Sequence, residues 1–297
     1  MGQPQPSWDV LTDLQQLTQF HFMQNALVAG TFVALAAGIV GYFVVLRGQS
    51  FATHTLSQVG FPGAAAALLV GVSPQIGLLL FCVGAAIGIG LVPRLTGGGY
   101  RSESGTIGVI LAFSLGLGFL FFHLYSGFAD TLLAYLFGTF LGINDGEVRV
   151  VALTAILTLL VTGVIGRPLL FSSVDAETAA ARGVPTRFLS ALFLILLALA
   201  VAISVQLVGT LLTFALLVTP AAAAQQLTTR PGVGLVLSAF LAIVVTWAGL
   251  AVAYFTVYPV GFFVTSFAFG AYLLSRAVRW AHESGLAASR RPAVVPI

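Results

Sequence analysis

The sequence contains no lysine, one cysteine and very little charge of either sign. Only 7% of its 297 residues are Asp, Glu, Lys or Arg, while 59% are apolar and the mean hydropathy is +1.05. Soluble domains carry about a quarter charged residues. A chain this poor in charge cannot cover a water-facing surface, which excludes a soluble enzyme or a soluble binding module. Intrinsic disorder is excluded as well, because it needs low hydrophobicity and high net charge. The lone Cys82 rules out an intrachain disulfide and a zinc site built on several thiolates. It lies in an apolar run and reads as a small buried hydrophobe. The missing lysine rules out a Walker A loop, whose Lys must reach the phosphates. Any nucleotide hydrolysis that drives this chain therefore belongs to a separate polypeptide. Neither a His-Glu-x-x-His helix nor a Gly-x-Ser-x-Gly elbow occurs, which argues against an intramembrane enzyme. The net charge of +3 is too small and too scattered for a nucleic-acid surface. What remains is an integral membrane protein of the all-α, polytopic class.

A crossing helix needs roughly 20 apolar residues. No Asp, Glu or Arg lies between Arg47 and Arg94, and that stretch breaks at Gly71-Val72-Ser73-Pro74 into two spans. The run from Phe188 to Thr229 is expected to break near Ser204-Val205-Gln206. The run from Pro231 to Ser275 breaks at Tyr254 to Pro259, where aromatic residues suit an interface. Single spans fit Phe22–Leu46, Gly105–Leu124 and Val150–Gly166, for nine in all. Thr131–Asn144 is apolar but short, and acids flank it, so it suits a re-entrant helix. Cationic residues favour the cytoplasmic side. If Thr131–Asn144 does not cross and the N-terminus is outside, 11 of the 12 arginines fall inside, with only Arg149 outside. If it crosses, the division is 8 to 4. The expected topology is nine spans plus one re-entrant helix, N-terminus outside and C-terminus inside. Residues 1–21 then form an extracellular segment, 22–279 the membrane body with a cytoplasmic loop at 167–187, and 280–297 a cytoplasmic tail. Residues 1–21 lack the cationic start of a cleavable signal peptide. Gly84 to Gly88 form a GxxxG pattern and Ala221–Ala224 a small-residue face, both suited to close helix packing.

Two polar segments carry chemistry. In the loop at 167–187, Ser172 or Ser173 suits a helix start, and Asp175 and Glu177 suit the positive end of its dipole. Ala179–Ala181 favour helix, Gly183 sits where a C-terminal cap glycine belongs, and Pro185 stops continuation. This is a short cytoplasmic helix, either an ordinary connector or one that a partner grips. In the second span, His54 and Gln58 are four apart and share one face, with Ser57 beside them. Polar groups inside spans usually face a cavity or a partner. They could bond between helices, or line a path in which a symmetric dimer brings two imidazoles together; one His per chain is a poor metal site alone. Pro62 and Pro220 are candidate helix breaks or gates. His123, beside Tyr125, reads as an interface anchor, and His21 and His282 read as solvated. Asp130, Asp145 and Glu147 form an acidic outer rim that either docks a partner or flanks the re-entrant helix. Gly97-Gly98-Gly99, between Arg94 and Arg101, reads as a flexible cytoplasmic loop near lipid headgroups.

From about Met23 to Arg279 the chain resembles the membrane permease of the manganese/zinc/iron uptake branch of ATP-binding-cassette importers. The marks are Leu46-Arg47 closing the first span, Ser50…Leu56-Ser57…Pro62-Gly63, Phe137-Gly138 to Ile143, and Asp175-Ala-Glu177…Arg182-Gly183-Val184. After these come Leu207-Val-Gly-Thr-Leu-Leu, Leu216-Leu-Val-Thr-Pro220 and Tyr258-Pro-Val-Gly261. The resemblance implies two permease subunits around a central path, a cytoplasmic ABC ATPase dimer that uses the ATP, and an extracellular metal-binding lipoprotein that delivers the ion. It implies a bacterial plasma membrane, a transported divalent metal, and no catalytic residue or covalently held cofactor in the permease itself. Asp175 to Val184 match the family's coupling helix, with Asp175, Glu177, Arg182 and Gly183 at the ATPase, and residues 137–143 match its short re-entrant helix. His54, Ser57 and Gln58 match the path, with His54 the metal-ligand candidate. The second span departs from the family pattern of an Asp followed four residues later by a His: those positions are His54 and Gln58 here. That pair suits a softer divalent ion better than a hard one, and the same architecture with a non-metal solute stays open. A gradient-driven transporter is disfavoured, because no Asp or Glu falls within the expected spans.

Overall fold

A computed structural model describes residues 20–95, 100–125, 127, 132, 135–138, 142–256 and 258–289. Among them there is no strand. The helices are α1 (His21–Leu46), α2 (Ser50–Val70), α3 (Pro74–Leu95), α4 (Tyr100–Leu124), α5 (Asp145–Val174), α6 (Ala176–Ala181), α7 (Thr186–Val208), α8 (Thr210–Leu227), α9 (Pro231–Tyr254) and α10 (Val260–Ser289). Among the described residues, eight of these are long and apolar enough to cross a membrane. The expected nine spans include α2. Its 21 residues reach about 31 Å, but His54, Ser57 and Gln58 lower its apolarity.

The bundle is built around α1 and α7. Two thirds of the apolar stretch of each is buried (67%), against 17% in α4 and 22% in α5, which are peripheral. α1 packs on α5, α7, α8 and α9, and α7 also packs on α2 and α3. α2 runs between α3 and α4 on one side and α7 and α8 on the other. Lipid tails are as apolar as leucine, so close backbone approach holds such a bundle together. Gly38 lies against the backbone of Ala239, Gly41 against the Leu217 carbonyl, and Gly63 and Gly77 against each other. The GxxxG pattern in α3 has no such role: a Cβ on Gly84 would meet nothing, and one on Gly88 only Ile110 Cδ1 at 3.5 Å. Ala221, Ala223 and Ala224 are buried, as their pattern predicts.

The breaks at Gly71–Pro74 and after Tyr254 fall where the sequence predicts. The break expected at Ser204–Gln206 does not. Those residues are helical and buried, and the Ser204 hydroxyl donates to the Ala200 carbonyl at 2.7 Å, so its polarity is satisfied inside the helix. α7 and α8 divide instead at Gly209, whose φ is 85°. α5 also overruns its expected end at Gly166. It passes through Pro168 and stops at Val174, so residues 167–174 are helix rather than loop. Its 30 residues span about 45 Å, longer than the ~30 Å hydrocarbon layer. A helix of that length either tilts in the layer or projects beyond it. Pro62 and Pro220 likewise lie inside continuous helices, which run on to Val70 and Leu227.

Candidate functional site

At one end of the bundle α1, α5 and α8 meet the short segment expected to be re-entrant. Thr131–Asn144 lies partly outside the described residues. Those described include helical Tyr135–Phe137 and then Gly138, with φ 91°. Gly138 and Gly209 interlock. A Cβ on Gly209 would meet Leu136 O, Phe137 C and Gly138 N, and one on Gly138 would meet Leu207 O and Gly209 N. Asn144 caps α5 in a capping box with Glu147, with two bonds of 3.0 Å. Asp145 accepts from Asn25 Nδ2 at 2.7 Å and pairs with His21 Nε2 at 2.8 Å. So His21, read from sequence as merely solvated, is exposed but tied to the acidic rim. Asp145 and Glu147 flank the start of α5. Asp130 lies outside the described residues, as do residues 1–19, Gly97–Gly99, Arg290 and Arg291.

α2 carries the candidate path. His54 is half-buried and sets its ring edge-on to Phe214 of α8, centroids 5.7 Å apart at 87°. Ser57 is fully buried, and its hydroxyl donates to the His54 carbonyl at 2.7 Å. Ser57 therefore serves its own helix rather than a ligand. Gln58, half-buried, lines a cavity of about 330 Å³ with Phe61, Leu115, Phe119, Phe122, Leu136 and Leu211. His54 and Gln58 thus share the face of α2 that meets α8, as the spacing of four predicts. Phe51 and Leu211 beside them are about half exposed (45% and 47%), so this face continues to the surface of the subunit. Among the described residues no three His, Cys, Asp or Glu side chains gather as a metal site.

At the opposite end α6 stands away from the bundle. Asp175 is its N-cap and accepts from Thr178 N at 2.9 Å. Ser172 and Ser173 do not cap it; both hydroxyls donate to the Leu169 carbonyl inside α5. Hydrogen bonding by the Thr178 side chain, and then by its backbone N–H, holds the Asp175 carboxyl below the usual carboxylate range. Gly183 adopts φ 82° and closes the helix, with Gly183 N donating to Ala180 O and Val184 N to Ala179 O, both 3.0 Å. The Arg182 guanidinium lies 5.8 Å from the Phe171 ring centroid. From Asp175 to Gly183 only Ala179 is buried. The helix is thus fixed by its caps and one alanine, and its polar faces are open.

Arg47 ties this end together, a role the sequence marks only as an arginine closing an apolar run. Its Nη1 donates to Ser173 Oγ at 3.0 Å and its Nη2 to Ser190 Oγ at 2.7 Å, with the guanidinium over Phe193 at 5.4 Å. One side chain joins the end of α1 to both flanks of α6. Three residues further on α2 begins, with His54 just past its first turn.

A helical bundle with one polar helix face reaching the subunit surface, and an exposed capped helix at one end, has the architecture of a membrane permease. The chain belongs to the ABC 3 transport family, whose pattern matches residues 19–279. It is 34% identical over 211 residues to the manganese import system permease protein ScaB of Streptococcus gordonii, covering 71% of this chain and 74% of that protein. It is 31% identical over 242 residues to the manganese transport system membrane protein MntC of Halalkalibacterium halodurans, covering 82% and 81%. Its fold matches a chain of PsaBC from Streptococcus pneumoniae, solved in complex with a Fab, with a TM-score of 0.80 and 29% identity over 90% of this chain and 95% of that one. The chain is accordingly a multi-pass bacterial membrane permease of the ABC transporter class.

Proposed function

We propose that this permease imports a divalent transition metal (manganese, zinc or iron), with a second permease subunit, a cytoplasmic ATPase dimer that uses the ATP, and an extracellular metal-binding lipoprotein. The observation that carries the proposal is the pairing of one polar face on α2 with an exposed, doubly capped α6, in a chain whose relatives are named for manganese import. His54 and Gln58 line the path from each subunit, and a second copy supplies the donors that one chain lacks. Asp175, Glu177, Arg182 and Gly183 engage the ATPase. Closure of the ATPases moves α6, the Arg47 fork carries that movement to the α1–α2 junction, and α2 turns its polar face from one side of the membrane to the other. Pro62 and Pro220, interior to α2 and α8, give those helices places to flex because each removes one backbone bond. This is alternating access around a fixed site.

The orientation has the N-terminus outside and the C-terminus inside. In support, α1 begins, α5 begins and residues 136–138 pack at one end, while Arg47, α6 and the start of α7 gather at the arginine-rich end. Residues 131–144 then enter and leave on the same side. Because Cys82 is the sole cysteine and buried, a Cys82→Ala chain with Arg290→Cys should react with an impermeant maleimide only in inside-out vesicles.

The functional test is uptake of Mn²⁺, Zn²⁺ and Fe²⁺ into proteoliposomes holding the whole transporter. The expected result is ATP-dependent uptake of at least one ion, lost in His54→Ala. Absence of uptake for all three, with ATPase association intact, would turn the reading to a different solute, which the His54 and Gln58 departure from the usual pair also favours.

A further inference from the structure

An apolar groove of about 730 Å³ opens between α1, α5 and α9, on the flank of the bundle away from His54. Its walls include Leu35 and Ile39 of α1, Leu159 of α5, and Val236 and Phe240 of α9. Along α5 it runs from Leu159 to Leu170, about 16 Å, or half of a ~30 Å hydrocarbon layer. It therefore occupies one leaflet. Two polar groups break its apolar lining, Arg167 and Thr162.

Three features of the groove bear on what could fill it. Gly163, Gly166 and Gly232 line it, and a Cβ on any of them would meet nothing within 4 Å. No packing among the described residues calls for glycine at these positions; side chains there would fill the groove. Thr162 is 3% exposed, yet its Oγ1 has no hydrogen-bond partner among the described residues. Threonines in helices usually donate to the carbonyl four residues earlier, as Thr158 does to Thr154 at 2.8 Å. Thr162 does not, and an unpaired hydroxyl is costly away from water. Arg167 is exposed at the arginine-rich end, and among the described residues it has no hydrogen bond or ion pair. The N-terminus of α9, with Arg230 as its N-cap and Gly232 in the groove wall, adds the positive end of a 24-residue helix there.

We propose that this groove binds one anionic phospholipid, with its glycerol region against the three glycines, its acyl chains running on past Leu159, Leu35 and Phe240, its ester carbonyl accepting from the Thr162 hydroxyl and its phosphate paired with Arg167. Thr162 and Arg167 are five residues apart, about 7.5 Å along the helix axis. That suits the separation of ester and phosphate within one lipid. The volume lies in the range of about 300–1,000 Å³ typical of ligand sites. A free anion would satisfy Arg167 but leave the groove and Thr162 empty, so the lipid is the occupant that uses all three features. In the orientation proposed above the lipid belongs to the inner leaflet; maleimide labelling tests that orientation separately.

The test is native mass spectrometry of the full chain released from nanodiscs holding phosphatidylglycerol and phosphatidylcholine in equal amounts. The expected result is one retained lipid per chain, with phosphatidylglycerol preferred. Arg167→Gln should reduce that preference roughly fivefold, the weight of one juxtamembrane arginine at an anionic surface. Gly163→Phe, which has open space to enter, should abolish retention of both lipids. Thr162→Val keeps the side-chain shape and should lower retention of both alike. Arg279→Gln, on α10 away from the groove, should change neither. Equal retention of the two lipids, or retention unaffected by both Gly163→Phe and Thr162→Val, would overturn the proposal. Loss of the preference on adding inorganic phosphate alone would overturn it too, by assigning Arg167 to a soluble anion.

Discussion

The two ends of the bundle are joined by different means. At the end holding residues 136–138, Gly138 and Gly209 interlock backbone to backbone, with no room for a side chain on either. At the arginine-rich end, Arg47 ties α1 to α5 and α7, the helices on either side of α6, while α6 itself is held by its Asp175 cap and the Arg182–Phe171 contact. A backbone interlock has one arrangement, whereas hydrogen-bonded side chains can part and pair again. The coupling proposed above would use the first end as a fixed point and the second as the movable one.

The sharpest test of this contrast is Gly209→Ala. At φ 85° and ψ 162° the position suits glycine alone, and the added methyl meets the backbone of residues 136–138. The expected loss is about 3 kcal/mol or more. It can be followed by the temperature at which buried Cys82 reacts with a thiol dye. Gly138→Ala should cost a similar amount, and the double variant less than the sum, because both break one contact. A smaller effect is expected from Arg47→Gln, on the order of 2 kcal/mol for its charge-assisted hydrogen bonds. Ser173 keeps its bond to the Leu169 carbonyl, so the bundle should stay folded while ATP-dependent uptake falls. A stable Arg47→Gln chain with unchanged uptake would break the comparison, since α6 would then need no tie to α1.

Asp175→Asn should act more weakly again, and in a pH-dependent way. The carboxyl is held below its ordinary range by Thr178, so the cap is fully present above about pH 4, the ordinary carboxylate value. It is lost only as pH falls through the lower folded value. Hydrogen exchange at the Thr178 amide should therefore stay protected down to that pH in the native chain, and lose its pH dependence in Asp175→Asn. The smallest effect belongs to Gly163→Ala. A methyl there enters open space, and Ala favours the helix interior over Gly, so stability should hold or rise by up to about 1 kcal/mol. A large loss would mean that the groove closes in the folded chain. Gly209 and Gly163 would then differ less than their surroundings indicate.

The legibility of the candidate site follows the same division. The α6 caps were readable because capping is local: Asp175 and Gly183 act within a few residues of themselves. The shared face of His54 and Gln58 was readable because helical spacing is local too. Ser172 and Ser173 do not begin the short helix because they bond backward into α5, which runs past its expected end at Gly166. His21 looked solvated because its partner, Asp145, lies 124 residues away. Arg47 gave no sign of its two serine partners, 126 and 143 residues distant.

By itself the sequence determined the solvent, the helical class, most of the helix order and the short capped helix. Each of these follows from composition or from interactions within one or two turns. Tertiary structure alone decided which glycines are locked and which open, where α7 gives way to α8, and which polar residues tie the ends together. In a lipid solvent apolar burial no longer separates inside from outside, so these outcomes rest on how closely backbones approach and which polar groups find partners. Both are properties of the packed bundle.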